Sequence, residues 1–77
     1  MDTNRRPTQV NRIAAYLTQY GSITALEALR DLGVMNLKGR IFEMRSDGYA
    51  IKTTWETVKN RWGEDSKIAR YVLEVKP

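Results

Sequence analysis

Apolar residues recur along this chain first at helical and then at strand spacing. Val10, Ile13, Ala14, Leu17 and Tyr20 fall three and four places apart, which predicts a helix over 9–20 with Tyr16 at the edge of its buried face. Thr8 supplies a cap and Gly21 a stop. Ser22 and Ile23 form a connector able to add a short strand. Thr24, followed three places later by Glu27, has the spacing of a capping box, in which each side chain satisfies the other's backbone N–H. That opens a second helix through Ala28, Leu29 and Leu32, ending at Gly33. Ala25 and Ala28 are small enough for a neighbouring helix to approach closely. Gly33, Val34 and Met35 read as a tight turn with two apolar residues to bury. Leu37, Ile41 and Met44 then mark the buried face of a third helix, capped by Asn36 and stopped by Gly48.

Beyond Gly48 the period changes to two. Residues 49–56 predict a strand with Tyr49, Ile51, Thr53 and Trp55 on one face, Trp55 belonging to the core. Residues 67–75 predict a second strand with Ala69, Tyr71, Leu73 and Val75 on one face. The polar stretch 57–66 between them reads as a long loop. The expected fold is therefore α+β: three helices, the second and third joined as a helix-turn-helix, followed by a two-stranded β-hairpin. Residues 1–7 read as a flexible arm and 8–77 as the folded domain.

Seating Leu37, Ile41 and Met44 inward turns Gly39, Phe42, Glu43 and Ser46 outward, flanked by Asn36, Lys38 and Arg40. This face has short side chains at its centre and cations at its edge, which suits close approach to another molecule. Lys38 and Arg40 stand where residues of a recognition helix reach base edges or phosphates, or they form an ordinary solvated face. Asn36 is suited to reading adenine, but capping competes for the same amide. Gly39 within a helix costs up to ~1 kcal/mol relative to Ala. Close approach of DNA or close packing on a neighbouring helix would each account for it. Phe42 points off the apolar stripe, where it can touch a thymine methyl, anchor a protein interface, or fold sideways onto its own domain. Arg45 with Asp47, and Arg30 with Glu27, read as surface ion pairs. In the long loop, Lys59, Arg61 and Lys67 surround Trp62, a basic and aromatic set suited to phosphate or minor-groove contact. Glu64 and Asp65 temper its charge. Arg5, Arg6 and Arg12 offer further backbone contacts from the arm and the first helix.

Composition narrows the classes. The 77 residues carry 13 Lys and Arg against 9 Asp and Glu, a formal net charge of +4 that attracts polyanions, nucleic acid foremost. There is no Cys and no His, which excludes disulfides, the usual zinc sites and any His-dependent triad. The lack of cysteine fits a reducing cytoplasm. No apolar run approaches the ~20 residues of a membrane span, and no apolar segment follows the first charges as in a secretory signal. Paired catalytic carboxylates, a phosphate-cradling Gly loop and a metal constellation are all lacking from the pattern. This predicts a non-enzymatic protein without cofactors.

Taken in order, Gln9, Gly21-Ser22-Ile23-Thr24, Leu32-Gly33, Ile41-Phe42-Glu43-Met44-Arg45, Gly48-Tyr49-Ala50-Ile51 and Tyr71-Val72-Leu73 resemble the small winged helix-turn-helix proteins of bacteriophages and prophages. The likeness covers nearly the whole chain after the arm. It implies a DNA-binding protein of the bacterial cytoplasm, with the third helix in the major groove and the hairpin as a wing on the flanking backbone. Double-stranded DNA is the implied partner, and a host or phage protein the alternative one. The implied state is a monomer or a homodimer, and the implied role that of a transcriptional regulator or recombination accessory factor.

Overall fold

The computed structural model describes residues 8–74. Helix α1 (Gln9–Tyr20) is capped by Thr8, whose hydroxyl accepts from the Asn11 N–H, and it closes at Gly21. Strand β1 (Ser22–Thr24) follows, so the connector does contribute a strand. Thr24 ends β1 and caps α2 (Ala25–Glu27) in the expected capping box: Glu27 N–H to Thr24 Oγ1 is 3.2 Å and Thr24 N–H to Glu27 Oε1 is 3.0 Å. One α-helical turn is then continued by a π-helical stretch, Ala28–Leu32, where a plain α-helix was expected. Its exit is widened to match. Val34 N–H reaches the Ala28 carbonyl and Gly33 N–H the Leu29 carbonyl, each one residue further back than in an ordinary Schellman closure. Gly33 sits at φ +69°, the left-handed conformation that reversal requires.

Of the two apolar turn residues, Val34 is buried but Met35 is 84% exposed. Neighbouring side chains in this non-helical segment point opposite ways, so one alone can face the core. Helix α3 (Leu37–Ser46) buries Leu37, Ile41 and Met44, and Gly48 beyond it has φ +102°. The core joins these residues to Ile13, Leu17, Ile23, Ala28, Val34, Ile51 and Tyr71.

Strands β2 (Ile51–Lys59) and β3 (Asp65–Leu73) pair antiparallel, Ile51 opposite Leu73 and Lys59 opposite Asp65. Strand β1 lies on the other side of β3, giving the order β1-β3-β2. The hairpin is longer and its loop shorter than the sequence pattern suggested. Only residues 60–64 turn. Asn60 Oδ1 accepts from Trp62 N–H (2.9 Å) and Glu64 N–H (3.0 Å), while Gly63 takes φ +78°. Residues 57, 59 and 65–67 are polar although they are strand, because this part of the hairpin has solvent on both faces, and Val58 between them is itself exposed. Hydrophobic alternation marks a strand only where one face is buried. For the same reason Trp55 is not core. It shares a face with Ile51 and Thr53 but lies beyond the packed part of the sheet, 66% exposed. Val75 lies outside the described residues.

Two expected ion pairs are replaced. Arg45 does not pair with Asp47. Its Nε donates to the Ile51 carbonyl (2.9 Å) and its Nη2 to Thr53 Oγ1 (3.0 Å), with the guanidinium 5.9 Å from the Tyr71 ring centre. Ala50 uses its own carbonyl for Glu74 N–H, so the next carbonyl along this edge strand turns away from β3 and is open to a charge-assisted donor. Arg30 pairs with its neighbour Asp31 at 2.8 Å rather than with Glu27. Glu27 points at the sheet, as its capping role demands, and meets Arg70 of β3. The Arg70 guanidinium spans Glu56 Oε2 (2.6 Å), Ser22 Oγ (3.1 Å) and Glu27 Oε1 (3.3 Å). One side chain thus ties β2 and β3 to β1 and the start of α2. Its pKa is raised further above the usual value, chiefly by the hydrogen bond to Glu56.

Candidate nucleic-acid interface

The exposed side of α3 begins at its cap. Asn36 Oδ1 accepts from Gly39 N–H at 3.2 Å, so the amide oxygen is occupied as a cap in this structure. The same contact gives an intramolecular reason for the glycine. A Cβ at Gly39 would lie 2.5 Å from Asn36 Nδ2 and 3.0 Å from its Cγ. Lys38, Phe42 and Glu43 project outward, whereas Gly39 and Arg40 are half-buried. Phe42 is 72% exposed and has not folded back onto the domain. Arg40 Nη2 lies 3.1 Å from Glu43 Oε2, and its Nε is buried with no hydrogen-bond partner among the described residues.

The wing brings the second group of candidates. Lys59 Nζ is 2.7 Å from Asp65 Oδ1 across the hairpin end. Arg61 lies with its guanidinium 5.6 Å from the centre of the Trp62 ring, and Trp62 is 74% exposed at the turn. Lys67, opposite Thr57, is exposed on the same strand face as Ala69 and Tyr71. The candidate cations therefore divide in two. Arg40 and Lys59 are held by carboxylates, while Lys38, Arg61 and Lys67 have no salt-bridge partner among the described residues. Arg5 and Arg6 lie outside the described residues. Arg12 is exposed on α1.

Between α3 and the wing runs a cleft of about 390 Å³, lined by Lys38, Phe42, Arg45, Trp55, Ala69 and Tyr71 among others. Sequence reasoning missed Trp55, Arg45 and Tyr71 as parts of this surface. The signal was available in the polar residues at positions 57 and 59, which continue the face of Trp55 into solvent. Chemically the region presents free cations and exposed aromatic rings, with Glu43 the one exposed carboxylate beside Phe42 on α3 and paired to Arg40. These can meet phosphates and the flat faces or edges of bases. Among the described residues, no helix is long and apolar enough to cross a membrane.

Comparison with curated proteins and with solved structures finds no match. Residues 8–76 do match a family described as a winged helix-turn-helix domain, and three helices with a three-stranded antiparallel sheet are consistent with it. The helix-turn-helix character suggests DNA binding and DNA as the partner. The chain belongs to the winged helix-turn-helix domain family.

Proposed function

We propose that this protein is a non-enzymatic binder of double-stranded DNA, with α3 in the major groove and the wing on the flanking backbone. The observation that carries the reading is the set of unopposed cations, Lys38 at the exposed start of α3 and Arg61 and Lys67 on the wing. Asn36 and Phe42 face the bases and Lys38 the adjoining phosphate, with Gly39 allowing close approach. Arg40 and Lys59 exchange a carboxylate for a phosphate on binding, and Trp62 rides with Arg61 at the wing tip. Arg5 and Arg6 add backbone contacts. The role that fits is that of a phage or prophage transcriptional regulator or recombination accessory factor in a bacterial cytoplasm, acting as a monomer or a homodimer.

Titration of duplex DNA over a range of salt tests this. With only the three unopposed cations on phosphate the log–log slope is about −2.7, roughly a 40-fold fall in affinity between about 50 and 200 mM salt, and each further cation that engages steepens it by about 0.9. Lys38→Ala makes the slope shallower by about 1. Absence of binding at low salt, or binding indifferent to salt, refutes the reading.

The exposure of Phe42, beside Glu43, favours a second reading in which this surface anchors a host or phage protein. A nuclease-resistant complex with one such protein, broken by Phe42→Ala, supports it. A complex that survives that change removes its basis.

A further inference from the structure

Four surface clefts differ in what they offer. The one beside α1 has its two rings, Tyr16 and Tyr20, packed on each other at 4.5 Å and the Asp31 carboxylate in its lining. The one at the end of the sheet away from the wing is lined by Asp47 and Glu74 and would repel phosphate. The one beside α2 is walled by Leu26, Val58 and Ile68, aliphatic side chains with no flat ring to stack on except the buried Tyr71. The cleft between α3 and the wing is different in kind. It carries two exposed rings on separate elements, Phe42 on α3 and Trp55 on β2. Ala69 and Tyr71 lie beneath them on β3. Lys38 and Arg45 are its two charged lining residues, and no carboxylate lines it.

We propose that this cleft receives a single unpaired nucleobase, stacked against Phe42 and Trp55, with the adjoining phosphate at Lys38. The inference rests on the DNA-binding reading and adds to it a preference for an unpaired or extruded base over a fully paired duplex.

The chemistry of the lining selects the occupant. Two rings left exposed in water gain by covering their faces, and a nucleobase offers a π-face whatever its identity. Its phosphate requires a cation at the rim and no acidic neighbour, and Lys38 meets both conditions. Arg45 is fixed by Ile51 and Thr53, so it supplies positive potential without having to reorganise. Ala69, the small residue paired with Trp55 in the sheet, leaves the floor low at the point where a ring would enter. The volume of about 390 Å³ lies within the range of small-ligand sites. A base is delivered there by the same approach that places α3 in the groove, because Lys38 and Phe42 belong to both surfaces.

The test compares two short duplexes, one fully paired and one with a single unpaired thymidine at its centre, by fluorescence anisotropy. Trp55 emission is followed in a Trp62→Phe background, where it is the only tryptophan. The unpaired site binds roughly 5- to 100-fold more tightly, and Trp55 is quenched by it more strongly than by the paired duplex. Trp55→Ala removes this gain, bringing the ratio between the two duplexes close to one. Phe42→Ala reduces the ratio between the two duplexes, while Trp55→Phe and Phe42→Tyr, which keep the rings, retain it. Both side chains are exposed, so the variants keep the parent's thermal unfolding midpoint. Equal affinity for the two duplexes, or a Trp55→Ala variant that weakens both alike, overturns the proposal. So does Trp55 emission indifferent to either oligonucleotide, which would assign the rings to an apolar side chain of a protein partner. Salt-dependent binding to the paired duplex without any gain from the unpaired base refutes this inference alone. Loss of all salt-dependent binding refutes the DNA reading with it.

Discussion

Replacing Arg70 by Met keeps most of the aliphatic stem and deletes the guanidinium that joins four elements. In the folded protein that group donates to Glu56, Ser22 and Glu27, and its side chain is 25% exposed. Hydrogen bonds to charged partners contribute about 1.5–3 kcal/mol each when sheltered. Glu56 is too exposed for the full figure, since its carboxylate regains water once released. Glu27 and Ser22 lie deeper in the junction of β1 and α2, and they lose more. Together these give a destabilisation of about 2–3 kcal/mol. For a domain of this size the corresponding fall in the unfolding midpoint is roughly 10–20 °C. Thermal and urea unfolding of the wild type and Arg70→Met measure it, with the urea m-value unchanged because the folded core is the same. Arg70→Lys, with one point charge in place of a planar fork, recovers only part of the loss. In the Arg70→Met background, Glu56→Gln adds little further, because its partner is already gone. A loss below about 0.5 kcal/mol, the level of an ordinary surface change, would refute the view that this side chain holds the wing to the helices.

Gly39→Ala alone is close to neutral, because the ~1 kcal/mol gained in helix propensity is offset by disruption of the Asn36 cap. After Asn36→Ala, which itself costs about 1 kcal/mol, the same Gly39→Ala change stabilises by nearly the full propensity difference, and urea unfolding of the four proteins reads the coupling. The Asp31 carboxyl is lowered to about 2, first by the hydrogen bond from Arg30 and then by that from the Tyr16 hydroxyl. A folded-state pKa below the unfolded one stabilises above the unfolded value, and this contribution disappears as pH falls from about 4 towards 2. The stability difference between wild type and Asp31→Asn therefore shrinks across that window in acid titrations, and a difference independent of pH refutes the assignment.

How far the sequence revealed this architecture depended on what each residue faces. Helix α1, the capping box of Thr24 and Glu27, the Asn36 cap and the buried stripe Leu37, Ile41 and Met44 were legible, because local hydrogen bonding and one buried face determine them together. The far half of the wing was not. Lys59, Asp65 and Lys67 are polar on a strand wetted on both sides, so nothing in their alternation separates strand from loop. Trp55 was misplaced because large aromatic residues usually end in a core, and only the length of the hairpin shows that it extends past one. The partners of Arg45 and Arg70 were illegible for another reason. Each reaches across the sequence to groups that only tertiary folding brings near, whereas pairs between close sequence neighbours, such as the expected Arg45 with Asp47, are weak competitors. The cations of the candidate interface were found by type and position. Which of them are free and which are held by carboxylates required the folded arrangement.

The order β1-β3-β2 puts the last of the described strands at the centre of the sheet. Ser22 must wait for its strand partner Val72, far along the chain, so β1 has no strand to join while synthesis is still at α3. An emerging chain can form its helices early, but it closes the sheet only after β3 has been made, and the long loop this encloses slows that step. A chain interrupted before β3 would lack not one edge but every strand pairing of the sheet. It would leave Ile23 and Ile51 without their covering strand, so such fragments should be cleared by proteases rather than persist as competing half-domains.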